Sequence, residues 1–307
     1  MHTSWRDNLA NISPLLKLFL DIIVMIITFF IFVFVLMFFF NLMGSSSYTE
    51  ALNFSKDNQT QYKIIQGLYS LSLFAIPAIF IAFLFSSKPF SYLLLNQKTK
   101  ISNFVVVLLL FIFSIPLINL LALFNNQLSF PSVFGEIETI MKEMEQKAMQ
   151  LTDNLLKVSS FEQFAINVIV IALIPAIGEE FLFRGIFQKH LTELTKNVHW
   201  AIIVTNVIFS AIHFQFFTFL PRFFLGVVLG YIFYLSGNLW LSIFGHFVNN
   251  FFAVFVYFWA SLNNIDIDKT AKEIGTTKSQ YIFVIISVVL VAFLLYLLKY
   301  NCKSKEN

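Results

Sequence analysis

The sequence predicts an all-α fold, a polytopic membrane helix bundle of about eight transmembrane helices around a buried polar site. Three observations carry that reading. Of 307 residues, 58% are hydrophobic and 12% charged, against roughly 25% charged in an ordinary soluble domain. The apolar residues fall in runs long enough to cross a bilayer, which takes about 20 residues as a helix. Inside those runs sit Glu179, Glu180, Arg184, His213, His246 and Asn250. An ionisable side chain at membrane depth costs roughly 2.5–3.5 kcal/mol, so a chain that keeps five of them needs a reason.

In chain order, the first run, about 16–43, is nearly all Ile, Phe, Leu, Val and Met. It far exceeds the ~7–15 residues of a signal-peptide core and is expected to stay as an anchor. A Ser-, Asn- and Gln-rich loop, Gly44 to Lys63, carries Glu50, Lys56, Asp57 and Lys63 in balance. The second run covers about 64–86. A loop with Lys88, Lys98 and Lys100 leads to the third, about 104–124, where Pro116 predicts a kink. From Asn125 to Glu162 the chain leaves the membrane, and Ile137, Ile140, Met141, Met144, Ala148, Leu151 and Leu155 space an amphipathic helix over 136–157. That helix is open to three readings: a connector on the lipid headgroups, a cover over the site, or a substrate contact. Its surplus of acids argues against attraction to anionic lipid.

Four further runs follow at about 163–188, 198–217, 219–235 and 238–261, and a last one at about 281–299. With the amino terminus inside, the cytoplasmic regions hold Arg6, then Lys88, Lys98 and Lys100, then Lys189 and Lys196, then Lys299, Lys303 and Lys305. The outer loops are neutral or acidic apart from Arg222. The excess of inner positive charge thus predicts both termini in the cytoplasm of a bacterial cell membrane; in a eukaryote the same rule describes an organelle membrane. In the sixth run Gly226 and Gly230 are four apart, a spacing for close helix packing.

Other classes lose support on composition. The net charge of +3 comes from loop lysines, with no basic stripe and interleaved aromatics for nucleic acid. Cys302 is the sole cysteine, so no internal disulfide forms, and the five residues after it do not make the prenylation signal, which needs three. It reads as an incidental thiol or a palmitoylation site. The 41 phenylalanines have no repeating spacing and read as lipid-facing filler. No G-x-S-x-G, phosphate-binding loop or dinucleotide fingerprint is present. His190 and His199 are expected to be solvated at a cytoplasmic turn, and His2 lies in the amino-terminal tail.

The polar residues fall into a pattern. Adjacent helix positions point about 100° apart, so Glu179 and Glu180 cannot serve one centre equally. Glu180 and Arg184 are at i and i+4, the spacing of a same-face ion pair. That pairing makes Glu180 a poorer proton acceptor and leaves Glu179 as the candidate general base; a purely structural knot of all three residues is the alternative. Phe209 and His213 are one turn apart, as are His246 and Asn250, whose imidazole and carboxamide can both donate to an oxyanion. At about 1.5 Å per residue, Glu179 lies roughly 13 Å from the cytoplasmic end, His246 about 12 Å, Asn250 about 18 Å and His213 about 22 Å, depths compatible with one site.

EEFLFR at 179–184, FSAIH at 209–213 and HFVNN at 246–250 resemble the three signature motifs of the CPBP intramembrane proteases, the CAAX-protease and bacteriocin-processing (Abi) family. The resemblance covers a core of about 161–261, with 1–160 as a variable amino-terminal membrane region and 262–307 as a last transmembrane helix and tail. It implies that Glu179 and His213 hold and activate the attacking water, that His246 and Asn250 steady the oxyanion, and that Glu180 and Arg184 organise the site. The implied substrates are prenylated carboxyl-terminal tails or leader peptides of bacteriocins and pheromones, with membrane lipids as surroundings and no nucleic acid. Whether a divalent metal such as zinc takes part stays open: Glu179, His213 and His246 could supply a His₂Glu set, whereas the H-E-x-x-H signature is absent. Two other classes compete: a transporter or proton-coupled channel using the same buried charges, and a non-catalytic membrane scaffold.

Overall fold

The computed structural model describes residues 9, 11–42, 52–55, 57–128, 135–265 and 281–303. His2, Arg6, Glu50, Lys56 and Lys305 lie outside the described residues. Among those described, the regular elements are all helices, and seven are long and apolar enough to cross a membrane, with one shorter apolar helix beside them. This is the predicted all-α membrane bundle.

Helix α1 (Pro14–Leu42) lies at the edge: Phe19, Phe30 and Phe34 are exposed, as lipid-facing residues should be, while Phe29 and Phe32 pack against Tyr69. Helix α2 (Gln59–Phe85) contains a π-helical turn at Leu71–Ala75. Lys63, expected in the preceding loop, lies inside α2 and is fully buried, where its ammonium donates to Gln163 Oε1 at 3.0 Å. Helix α3 (Ile101–Asn126) runs through Pro116. The amphipathic helix α4 (Gly135–Leu156) forms at the expected place.

Helix α5 (Phe161–Thr195) is the longest at 35 residues, about 50 Å against a hydrocarbon core of about 30 Å. It is therefore longer than a crossing of that core needs. Two π-helical turns interrupt it, at Val168–Leu173 and Phe183–Phe187; such turns concentrate at functional sites. The left-handed Lys196 and the capping Asn197, whose side chain accepts from the His199 and Trp200 amides, reverse the chain into α6 (Val198–Ala211). The same device, Gly237 followed by Asn238, joins α7 (Phe219–Ser236) to α8 (Leu239–Asn263). Helix α9 (Tyr281–Lys303) packs along α3.

Helix α6 is shorter than its apolar run because His213 ends it. The imidazole Nδ1–H donates to the Phe209 carbonyl at 2.7 Å, taking the acceptor that the next backbone turn would use. Phe214 then adopts φ +52°, and residues 212–218 turn back toward α7.

Two apolar clusters set the frame. One gathers Phe74, Ile81, Phe181, Phe183, Phe209 and Ile243 from α2, α5, α6 and α8. The other joins α3, α7, α8 and α9 through Val107, Leu110, Ile232, Leu241 and Leu298. Because α8 contributes to both, its polar face is held between them.

Candidate active site

Helix α5 meets α2 at Gly178, where a β-carbon would come within 3.1 Å of Phe74 Cβ and 3.3 Å of the Ala75 amide nitrogen. This close crossing fixes the helix one residue before the glutamates. From there the two carboxylates part, as their 100° separation requires. Glu180 is fully buried, and its Oε1 accepts from Arg184 Nη1 at 2.7 Å and from His246 Nδ1 at 2.9 Å. The expected i, i+4 pair is formed.

Arg184 spends its other terminal nitrogen on two acceptors from different helices: Asn206 Oδ1 at 2.9 Å and the Gly226 carbonyl at 2.8 Å. Gly226 is needed for this, since a β-carbon there would sit 2.2 Å from Asn206 Oδ1. The GVVLG spacing thus lets α6 approach α7 closely enough for one guanidinium to bridge both. The guanidinium also lies over the Phe209 ring, 5.3 Å from its centroid.

Glu179 is held differently. Among the described residues it makes no hydrogen bond, and its Oε2 lies 3.7 Å from His246 Nε2. Its side chain keeps 10% exposure where that of Glu180 has none. Since His246 Nδ1 faces a carboxylate, which only accepts, that nitrogen carries the proton and Nε2 is aimed at Glu179.

His213 joins the group through an aromatic ring. Phe209 packs edge-on against both His213, at 5.1 Å between centroids, and His246, at 6.2 Å. With Nδ1–H committed to the Phe209 carbonyl, the remaining nitrogen, Nε2, is the one available to a ligand. Asn250 is turned to the backbone of α5: its Nδ2 approaches the Ile171 carbonyl at 3.4 Å, and its Oδ1 accepts from Asn249 at 3.2 Å. Ile171 is four residues before Pro175, which has no N–H to return to that oxygen.

Thus Glu179, Glu180, Arg184 and His246 form one contact network, His213 adjoins it across Phe209, and Asn250 stands one turn from His246 on α8. Among the described residues no three His, Cys, Asp or Glu side chains are grouped to hold a metal ion. Glu179, His213 and His246 therefore do not make a zinc donor set in this arrangement.

Three contributors were not singled out from the sequence. Asn206 lies two helical turns before His213 on the same face, a signal that was present. The Gly226 carbonyl is a backbone acceptor, which no residue type announces. Glu145 of α4 is buried and accepts from the Phe217 amide at 2.8 Å and the Thr218 hydroxyl at 3.1 Å, clasping the turn that carries His213. One expectation is corrected: His190 is fully buried, its Nδ1 2.6 Å from Asp21 and its Nε2 2.7 Å from the Tyr92 hydroxyl. The solvated reading failed because α1 and the 89–92 turn close over it; His199, by contrast, is exposed.

Residues 161–252 match a family model described as type II CAAX prenyl endopeptidase Rce1-like, which bears out the resemblance read from the three motifs. The matched stretch runs from α5 into α8 and holds all six residues of the site. No curated protein and no solved structure matches the chain. The chain thus combines seven helices long and apolar enough to cross a membrane with a stretch, 161–252, that is similar to a CAAX-protease-type endopeptidase domain.

Proposed function

We propose that the protein hydrolyses peptide bonds of membrane-associated peptides or protein tails with a water molecule activated by Glu179 and His213. The observation that carries this reading is the unequal treatment of two neighbouring glutamates. Glu180 is held through one oxygen by both Arg184 and His246, while Glu179 is left without a hydrogen bond beside an imidazole nitrogen. A structural ion-pair knot would use both acids.

Glu179 takes a proton from the water, whose oxygen adds to the scissile carbonyl carbon. His213, its Nδ1–H held by the Phe209 carbonyl, presents Nε2 as acceptor to the same water. The oxyanion that forms is met by His246 and by the Asn250 amide. For that, Asn250 exchanges the long 3.4 Å contact with Ile171 for the substrate. Glu179 returns its proton to the leaving amine as the C–N bond breaks. Glu180 and Arg184 keep His246 and α6 in place throughout.

The substrate classes in view are prenylated carboxyl-terminal tails and leader peptides of bacteriocins or pheromones. The lysines at 88, 98, 100, 189 and 196 support an orientation with both termini in the cytoplasm, and the membrane proposed is that of a bacterial cell. The test compares membrane and secreted peptides from cells carrying wild type or Glu179→Gln at equal expression. A peptide cut only by wild type is expected; an unchanged peptide set across growth conditions would turn the reading toward a transporter or a scaffold.

A further inference from the structure

Between α4 and the turn after α6 lies a cavity of ≈ 250 Å³. Met141 and Met144 of α4 form one wall; Ser210, Ala211, Phe214 and Phe219 form much of the other. Three of those residues bracket His213 in sequence, and Ser210 directly follows Phe209, the ring shared by both site histidines. The cavity and the polar centre therefore lie against one short stretch, 209–214. The volume exceeds the ~150 Å³ that accepts a benzene ring and falls below the ~300 Å³ at which pockets for whole drug-sized ligands begin. It suits a single branched or aromatic side chain.

Two polar groups touch this otherwise apolar wall, and they differ. Gln215 is engaged, its Oε1 accepting from Arg222 at 2.6 Å. The Ser210 hydroxyl is 1% exposed and has no hydrogen-bond partner, a costly state for a buried group unless something arrives to bond it. The far wall is anchored independently, since Glu145 lies on the same helix as Met141 and Met144 and holds the 217–218 amide and hydroxyl. Methionines in such a wall adapt to different apolar shapes.

We infer that this cavity is the specificity pocket of the proposed peptidase: it takes the apolar side chain of a substrate residue flanking the scissile bond, with the Ser210 hydroxyl bonding the substrate's backbone beside it. The inference rests on the proposed reaction for the word scissile, but not for the binding itself. The amphipathic helix is then part of the substrate site, and Met144, exposed at the pocket's edge, is the residue that sets its depth.

The test has two arms. Peptides based on a confirmed substrate, carrying Ala, Leu or Phe at each position near the cut, are assayed with wild type, Met144→Ala and Met144→Trp. At one position wild type should prefer Leu over Ala by about tenfold or more in kcat/KM; Met144→Trp should erase or reverse that ratio, and Met144→Ala should shift it toward Phe. An equal fall for all peptides, or ratios that do not move, overturns the inference. In the second arm, the Met144→Trp protein in nanodiscs is titrated with a 4-bromophenylalanine peptide or prepared in brominated-chain lipid, with the four native tryptophans corrected by wild type. Saturable quenching by the peptide is expected. Quenching by the lipid alone would assign the cavity to a bilayer chain and overturn the proposal. Peptide quenching without any cleavage by wild type would break the protease reading while leaving the pocket standing.

Discussion

Helix α5 carries two buried histidine–carboxylate clusters, and they are built to opposite specifications. Near its end, His190 has both ring nitrogens taken, by Asp21 at 2.6 Å and the Tyr92 hydroxyl at 2.7 Å, while Lys17 pairs with Glu193 at 2.7 Å alongside and Lys189 donates to the Tyr92 carbonyl. Further back, His246 has one nitrogen fixed by Glu180 and the other aimed at an unbonded Glu179, 3.7 Å away. The first cluster closes the imidazole on both sides and ties α1 to α5. The second is closed on one side and open on the other, which is what a site that must admit water and substrate requires.

The hardest way to break the comparison is Arg184→Ala. It strips Glu180 of a fully buried partner and unlinks α6 and α7 from α5. Breaking a buried pair by removing one member costs about 3–5 kcal/mol, so folded yield and melting temperature should both fall, along with activity. A normal yield of well-folded protein would sink the ion-pair argument. Next comes Glu179→Gln, which leaves every hydrogen bond of Glu180 and Arg184 in place. Cleavage should fall by about 10²–10⁴, the usual contribution of general-base catalysis, with the melting temperature unchanged. If both activity and stability dropped, Glu179 would belong to the structural knot after all.

How much of this was legible in the sequence follows from distance along the chain. The Glu180–Arg184 pair was readable because helical geometry alone puts positions i and i+4 on one face, and the helix forms. The three apolar runs bearing the motifs were equally plain, since run length and composition decide them. The amphipathic helix was readable as a helix, but its role was not: Glu145 looks like one more solvated acid until the turn at 217–218 is seen to donate to it. His190 was misread for the same reason, its carboxylate partner lying 169 residues away. The end of α6 escaped because a side chain, His213, competes for a backbone acceptor within an unbroken apolar run. Local periodicity encodes faces; it does not encode which distant face arrives.

The mildest substitution bears on the closed cluster. Tyr92→Phe removes one hydroxyl and leaves the ring that packs against Phe85 and His190. Tyr92 sits in the short turn outside the spans, where burial first, and then Glu193 and Asp21, push its phenol above its ordinary value; it stays an O–H donor. Its loss orphans His190 Nε2 in a dry place, at a cost of about 1–3 kcal/mol. Stability should fall by that amount in thermal or denaturant unfolding of the purified protein. The kcat of cleavage should hold, because the strut at His190 touches neither Glu179 nor the turn with His213. A loss of kcat without a loss of stability would mean that the two clusters are coupled through α5, and that the closed one sets the geometry of the open one.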